Sequence, residues 1–271
     1  MPRAQIPNRL SFMGTDAGAK LTRSDAVYLE KRGNVAELVL NRPAVLNAEN
    51  WDMAKAFHAA LDEIERDSAI RAVIVTGQGR SFSSGVDLAA LSRGELAIDW
   101  FRSFDQAMRR LEMLDALTVA KIRGYAIGGG LQIALACDLR VAAPDAKLGL
   151  PAVMEALIPG MGTYRLPRFI GLGRARRLVL TGELVDAEEG LRIGLLDWIA
   201  PEKQLDEKVS SVIDAVLKGS AAAQAFSKKL VTAAFESDFD SAFSDYLEYQ
   251  QRALDSRDHQ QAMAAYRNRK K

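Results

Sequence analysis

The sequence is poor in the side chains that most often carry metal or nucleophile chemistry. Among 271 residues there is one cysteine, Cys137, and there are two histidines, His58 and His259, far apart in the chain. One cysteine excludes an internal disulfide and any thiolate cage for zinc or an iron–sulfur cluster. Two distant histidines leave little for histidine-based acid–base work, and no metal site is expected. Charge of one sign is also missing: 36 basic against 35 acidic side chains give a formal net charge of +1. No bulk basic excess points to nucleic acid. Long apolar runs are absent too, since stretches such as residues 72–75 fall far short of the roughly 20 residues that span a bilayer. The opening MPRAQIPN has no apolar core of an export signal. No disulfide and no such signal together imply the cytoplasm, with neither membrane nor nucleic acid as a partner.

What remains is an ordinary soluble composition, 48% hydrophobic and 26% charged, long enough for a sizeable core. Residues 1–24 mix Pro, Gly, Asn, Thr and Lys without period and read as a loose leader. Strands are expected at 27–30 and 35–40, joined by a turn at Arg32-Gly33-Asn34 as a hairpin. Asn50 is placed to cap a helix in which Trp51, Ala54, Phe57, Leu61 and Ile64 recur at helical spacing, with His58 as a packing residue. Further strands, at 72–75, from Val119 and from Leu139 to Ala142, alternate with helices to about Ala200. Such alternation implies α/β packing with a parallel component. After Pro201 only helices follow, at 205–217, 221–235, 239–254 and 259–269. The expected divisions are therefore 1–24, 25–200 and 201–271.

Two glycine-rich turns attract chemistry. The first is SFSSGVDL (81–88), where small residues permit close approach of a ligand to the backbone and Asp87 can cap the following helix. The second is GYAIGGGLQ (124–132), where a strand passes through three glycines into a helix. The free N–H groups and positive dipole end at such a start can polarise a carbonyl or hold an enolate. Neither turn has the phosphate-cradling or dinucleotide-binding pattern.

Taken together and in order, NRPAVLN (41–47), SFSSGVDL, GYAIGGGLQ and IPGMGTYRL (158–166) resemble the crotonase, or enoyl-CoA hydratase/isomerase, family over about residues 25–271. The resemblance implies a crotonase-like α/β spiral of ββα units followed by a C-terminal helical trimerisation region, as a homotrimer or a dimer of trimers. It implies an acyl-CoA substrate, with coenzyme A entering as part of the thioester and no separate cofactor. The two oxyanion amides would fall on Ser84 and Gly129. Arg42, Ser83, Gly85, Asp87 and Leu88 would lie about the coenzyme A moiety, as would Tyr266 and Arg269 of AMAAYRNR (262–269) at its nucleotide.

Hydratases of the family use two glutamates to hold and activate water. The matching positions here are Gln132 and Ala152, so standard hydration is not expected. Glu155, three residues beyond Ala152, would share a face with it on a helical turn and is the replacement base to test. A single carboxylate beside an oxyanion hole suits double-bond isomerisation. The competing role for Glu155 is an ion pair with Arg165 or Arg168. Competing functions are decarboxylation or thioester hydrolysis, and acyl-CoA binding with weak catalysis. Tyr164 and Cys137 read as packing residues. Asp105, Glu112 and Asp115, beside Arg109 and Arg110, read as a solvated helix face.

Overall fold

The computed structural model describes residues 19–24 and 26–269. The chain starts with β1 (Ala19–Arg23), β2 (Val27–Arg32) and β3 (Val35–Leu40), paired antiparallel in that order. The expected hairpin is therefore present. The expected loose leader is corrected at its end, because residues 19–23 pair with β2; residues 1–18 lie outside the described residues. Next comes α1 (Trp51–Arg66), begun by Asn50, whose side chain accepts from the Met53 N–H at 3.0 Å.

β4 (Ala72–Gly77) is buried throughout, as a β-branched run in the middle of a sheet must be. The short α2 (Leu88–Ser92) and the long α3 (Ile98–Met113) lead to β5 (Leu117–Ile122), β6 (Tyr125–Ile127) and α4 (Gly129–Ala136). Then follow β7 (Leu139–Ala142), β8 (Lys147–Gly149), α5 (Gly162–Ile170), α6 (Leu172–Thr181), β9 (Val185–Asp186), α7 (Ala187–Arg192) and β10 (Trp198–Ile199). Helices α8 (Leu205–Leu217), α9 (Ala221–Ala233), α10 (Phe239–Leu254) and α11 (Arg257–Arg269) complete the chain.

The large sheet has the order β1-β2-β3-β4-β5-β7-β10, parallel from β3 onward; β6, β8 and β9 form a small second sheet. The turns β5–β6–α4 and β7–β8–α5 each place one strand in the large sheet, one in the small sheet, and then a helix. This is the expected α/β spiral. The main core lies between the large sheet and helices including α1, α3 and α4. A second cluster packs Val35, Ala72, Ile74, Val119 and Val141 against Leu205, Val209, Val212 and Ile213. Helix α8 therefore covers the other face of the sheet. Helix α9 is tied to the body through Lys228, which bonds the Ala116 carbonyl and Asp138, while Val231, Phe235, Phe239 and Phe243 of the last helices are exposed.

Asn47 fastens the spiral at the point that matters for the site. Fully buried, its amide donates to the carbonyls of Gln78 (3.0 Å), Ser81 (2.8 Å) and Phe82 (3.1 Å) and accepts from the Arg42 N–H (2.8 Å). Asn47→Leu would strip these buried groups of partners and is expected to lower stability by about 2–4 kcal/mol in denaturant unfolding. A loss under about 0.5 kcal/mol would contradict this account.

Candidate active site

Three separate stretches are laced together around one cavity. The Ser83 N–H donates to the Tyr125 carbonyl, and the Ile127 N–H returns a bond to the Ser83 carbonyl. On the other side the Glu49 N–H donates to the Gly85 carbonyl, and the Asp87 N–H to the Glu49 carbonyl. The first glycine turn is thus held between residues 46–49 and β6. Gly85 is required here: it has φ +84°, and a Cβ would lie 2.8 Å from the Ile127 carbonyl and 3.1 Å from the Gly129 nitrogen.

The cavity is walled by Trp100, Phe101 and Phe104 of α3, by Ile127 and Leu88, and by Leu157 and Ile158. Trp100 stacks on Phe104 at 5.3 Å between ring centres. These walls give the cavity an apolar lining. Ser84, Gly85, Gly128, Gly129, Gln132, Ala152 and Glu155 also line the cavity, so much of the sequence-based site comes together. Gly129 opens α4, and its N–H has no carbonyl partner within the helix.

Ser84 differs from expectation. Its N–H donates to the Leu46 carbonyl at 2.9 Å, so this amide is already engaged. The cause is local backbone: Leu46 and Asn47 both take left-handed conformations, φ 54° and 56°, which turn the Leu46 carbonyl onto Ser84. For a leucine that conformation costs on the order of 1–2 kcal/mol.

Other expected residues are engaged in structure rather than aimed at a ligand. Ser83 is buried; its hydroxyl accepts from the Gly85 N–H and shares its proton between the Asn47 carbonyl (3.0 Å) and Glu49 Oε1 (2.9 Å). Arg42 pairs with Asp87 at 3.0 Å and also donates to the Ala48 carbonyl. Asp87 caps α2 through the Ala90 N–H. Burial opposes its ionisation, but the Ala90 N–H and Arg42 outweigh it and hold the carboxyl below its usual range. Tyr266 is exposed on α11 and is not among the residues lining the cavity, and the Arg269 side chain lies outside the described residues.

Gln132 is nearly buried, and its Oε1 accepts from the Gly162 N–H at 3.0 Å. Glu155 ends a short 3-10 turn (Pro151–Glu155) and is exposed at the cavity rim. The expected pairing with Arg165 is not formed; Arg165 reaches Glu112 instead, at 3.4 Å. Arg168 stacks over the Tyr164 ring and donates to the Tyr164 carbonyl. Tyr164 itself donates through its hydroxyl to Glu236 (2.9 Å). Burial pushes the Cys137 thiol up to about 12, which leaves it inert as a nucleophile.

Two carboxylates of the cavity were not among the expected site residues. Asp105, read from sequence as part of a solvated face, is half-buried and lines the cavity. A Cβ on Gly160 would lie 3.3 Å from its Oδ2 and 3.0 Å from Gln132 Oε1, so these two groups flank Gly160. Desolvation raises the Asp105 carboxyl, against a bond from the Met161 N–H and the charge of Arg165. Glu112 is likewise no surface group, since it pairs with Arg109 and Arg165. Glu49 is fully buried at the inner wall. Its carboxyl is raised to about 8 by desolvation, with the Ser83 hydroxyl opposing, and its Oε2 has no hydrogen-bond partner among the described residues.

Among the described residues no helix is long and apolar enough to cross a membrane, and no cluster of His, Cys, Asp and Glu could hold a metal ion. A glycine-opened helix thus stands at the head of an apolar cavity, on a spiral of two sheets. Residues 30–271 match the enoyl-CoA hydratase/isomerase family. The chain is 35% identical over 251 residues to the short-chain-enoyl-CoA hydratase of Clostridium acetobutylicum, covering 90% of this chain and 95% of that protein. The solved structure of Pseudomonas aeruginosa DspI superimposes with a TM-score of 0.85 at 30% identity, over 92% of this chain and 96% of that one. An enoyl-CoA hydratase from Bacillus anthracis gives 0.84 at 28% identity, over 90% and 96%. The chain therefore belongs to the enoyl-CoA hydratase/isomerase, or crotonase, family.

Proposed function

We propose that this chain binds an acyl-CoA thioester and moves a double bond through an enolate, rather than adding water by a two-glutamate route. The observation that carries the reading is the cavity wall. Gln132 and Ala152 stand where we place the two hydratase glutamates, while a helix-opening amide and apolar walls remain. In a 3-enoyl-CoA, a carboxylate takes a proton from C2, the electrons move onto the thioester oxygen as a dienolate, and the same proton returns at C4. The Gly129 N–H meets the developing charge.

Asp105 is the better-placed shuttle, because it is half-buried beside Gln132 and desolvation raises its carboxyl above the ordinary range. Glu155 at the rim is the second candidate. Asp105→Asn is expected to cut conversion of a 3-enoyl-CoA to its 2-enoyl isomer by about 10²-fold or more, with a much smaller loss in Glu155→Gln. The reverse order returns the role to Glu155. Carbon dioxide release from a malonyl-type thioester, hydrolysis of the thioester, or binding of CoA esters without turnover would each overturn isomerisation.

Coenzyme A enters as part of the substrate in this reading, with no further cofactor. The exposed apolar side chains of α9 and α10, Val231, Phe239 and Phe243 among them, are the surface through which we place a homotrimer or dimer of trimers. A cytoplasmic setting fits the lone, buried Cys137.

A further inference from the structure

A base must be ionised before it can take a proton, and the cavity supplies Asp105 with no positive charge. The other titratable groups that line it, Glu49 and Glu155, are acids, and no Lys, Arg or His is among the lining residues described. A cation stands behind the wall instead. Arg165 of α5 is buried, and its backbone N–H donates to the Met161 carbonyl at 3.0 Å, while the Met161 N–H donates to Asp105 Oδ1 at 3.4 Å. Its side chain reaches Glu112 Oε2 at 3.4 Å. Glu112 and Asp105 lie two helical turns apart on α3, so the guanidinium is set against the side of α3 that carries both.

That guanidinium is short of counter-charge. Its Nε and Nη1 have no hydrogen-bond partner among the described residues, and 3.4 Å is long for a charged bond. Glu112 is held more closely by Arg109, at 3.1 Å. Arg109 also grips Glu236, which feels the charge of Arg168 as well. Arg109, Arg165 and Arg168 thus share two glutamates, and an ionised Asp105 evens the count. A buried cation in this position favours the charged form of an acid beside it.

We propose that Arg165 is a positioning residue for the proton shuttle: from behind the cavity wall its charge keeps Asp105 ionised, without a direct bond that would tie up the carboxylate. This rests on the reading of Asp105 as the shuttle. Among the described residues the Met161 N–H is the only hydrogen-bond donor to Asp105, so Oδ2 stays open to the cavity. Burial opposes ionisation of Asp105, and the Met161 N–H and the Arg165 charge offset it only in part. Without Arg165 the carboxyl would hold its proton to higher pH and be a base for a smaller share of the enzyme. Arg165 touches neither substrate nor cavity, and it exchanges no proton.

The test pairs a carbon-13 NMR titration of the aspartate carboxyls with the pH dependence of kcat/KM for a 3-enoyl-CoA. The Asp105 signal is assigned by its loss in Asp105→Asn. In Arg165→Met the Asp105 midpoint is expected to rise by about one pH unit or more, which lowers kcat/KM about tenfold on the acid limb and leaves the high-pH plateau nearly intact. Arg165→Lys keeps the charge and should restore most of the wild-type profile. A purely structural role would lower the plateau and leave the limb where it was. An Asp105 midpoint in Arg165→Met within about 0.3 pH units of wild type overturns the proposal. If that variant does not fold, Glu112→Gln is compared with the double variant Arg165→Gln/Glu112→Gln, which leaves no buried charge unpaired. The lack of an upward shift between those two overturns it equally. A midpoint that moves in the spectra while the rate limb stays still shows that Asp105 is not the shuttle, and the assignment falls with that reading.

Discussion

Gly129→Ala is expected to abolish turnover and to lower stability by about 3 kcal/mol, and adding Glu49→Ala is expected to return much of that stability. The added methyl would lie 1.7 Å from Glu49 Oε2, 2.6 Å from Cδ and 2.8 Å from Oε1. No rotation at Gly129 avoids this, because the residue is the first of α4 and its neighbours Gly128 and Gly130 are fixed by their own contacts. Something must move, and either the helix start shifts or the carboxyl is driven from its seat on Ser83. Both outcomes displace the Gly129 N–H, and catalysis tolerates little displacement. Removing the carboxyl as well leaves room for the methyl. A double-mutant cycle in denaturant should therefore show a coupling of about 1–3 kcal/mol between positions 49 and 129. Penalties that add to within about 0.5 kcal/mol would show that the two residues do not compete for the same space.

The second large effect is on stability against pH. In the unfolded chain Glu49 ionises near 4.5, whereas in the folded protein burial raises it to about 8. Below about 4.5 the group is protonated in both states. Between 4.5 and 8 the unfolded chain gives up the proton and the folded protein keeps it, so folding is progressively disfavoured as pH rises. The contribution present at low pH is lost by the time pH passes 8. At 1.36 kcal/mol per pH unit, the loss amounts to roughly 5 kcal/mol. Glu49→Gln carries no such dependence. The stability difference between Glu49→Gln and wild type should thus grow by several kcal/mol from pH 5 to pH 9 in urea unfolding. Parallel curves for the two proteins would mean that Glu49 is ionised, or solvated, in the native state.

The elements whose signals are local were readable in the sequence. Asn50 announced α1, the β-branched run announced β4, and the triple glycine announced the start of α4 with its free amide. What was not readable depends on what another part of the chain does. Glu49 precedes an N-cap and looks like the polar lead-in to a surface helix; only the laced segments around Gly85 and Gly129 bury it. Asp105 sits among charged neighbours at helical spacing, and nothing local separates a cavity-facing aspartate from a solvated one. The partner of the Ser84 amide is created by a left-handed leucine, a conformation no propensity favours. Likewise α8 reads as part of a helical tail until the second face of the sheet is seen to need a cover.

The lacing described around Asn47 also sets how the site can fail. Residues 41–49, 78–87 and 123–127 come from three distant parts of the chain, and their mutual bonds are buried. Such a site has no low-energy opening of its own: it comes apart only when the spiral does. Substitutions far from the cavity that weaken the core should consequently change how many molecules are active. They should leave the rate of each folded molecule as it was.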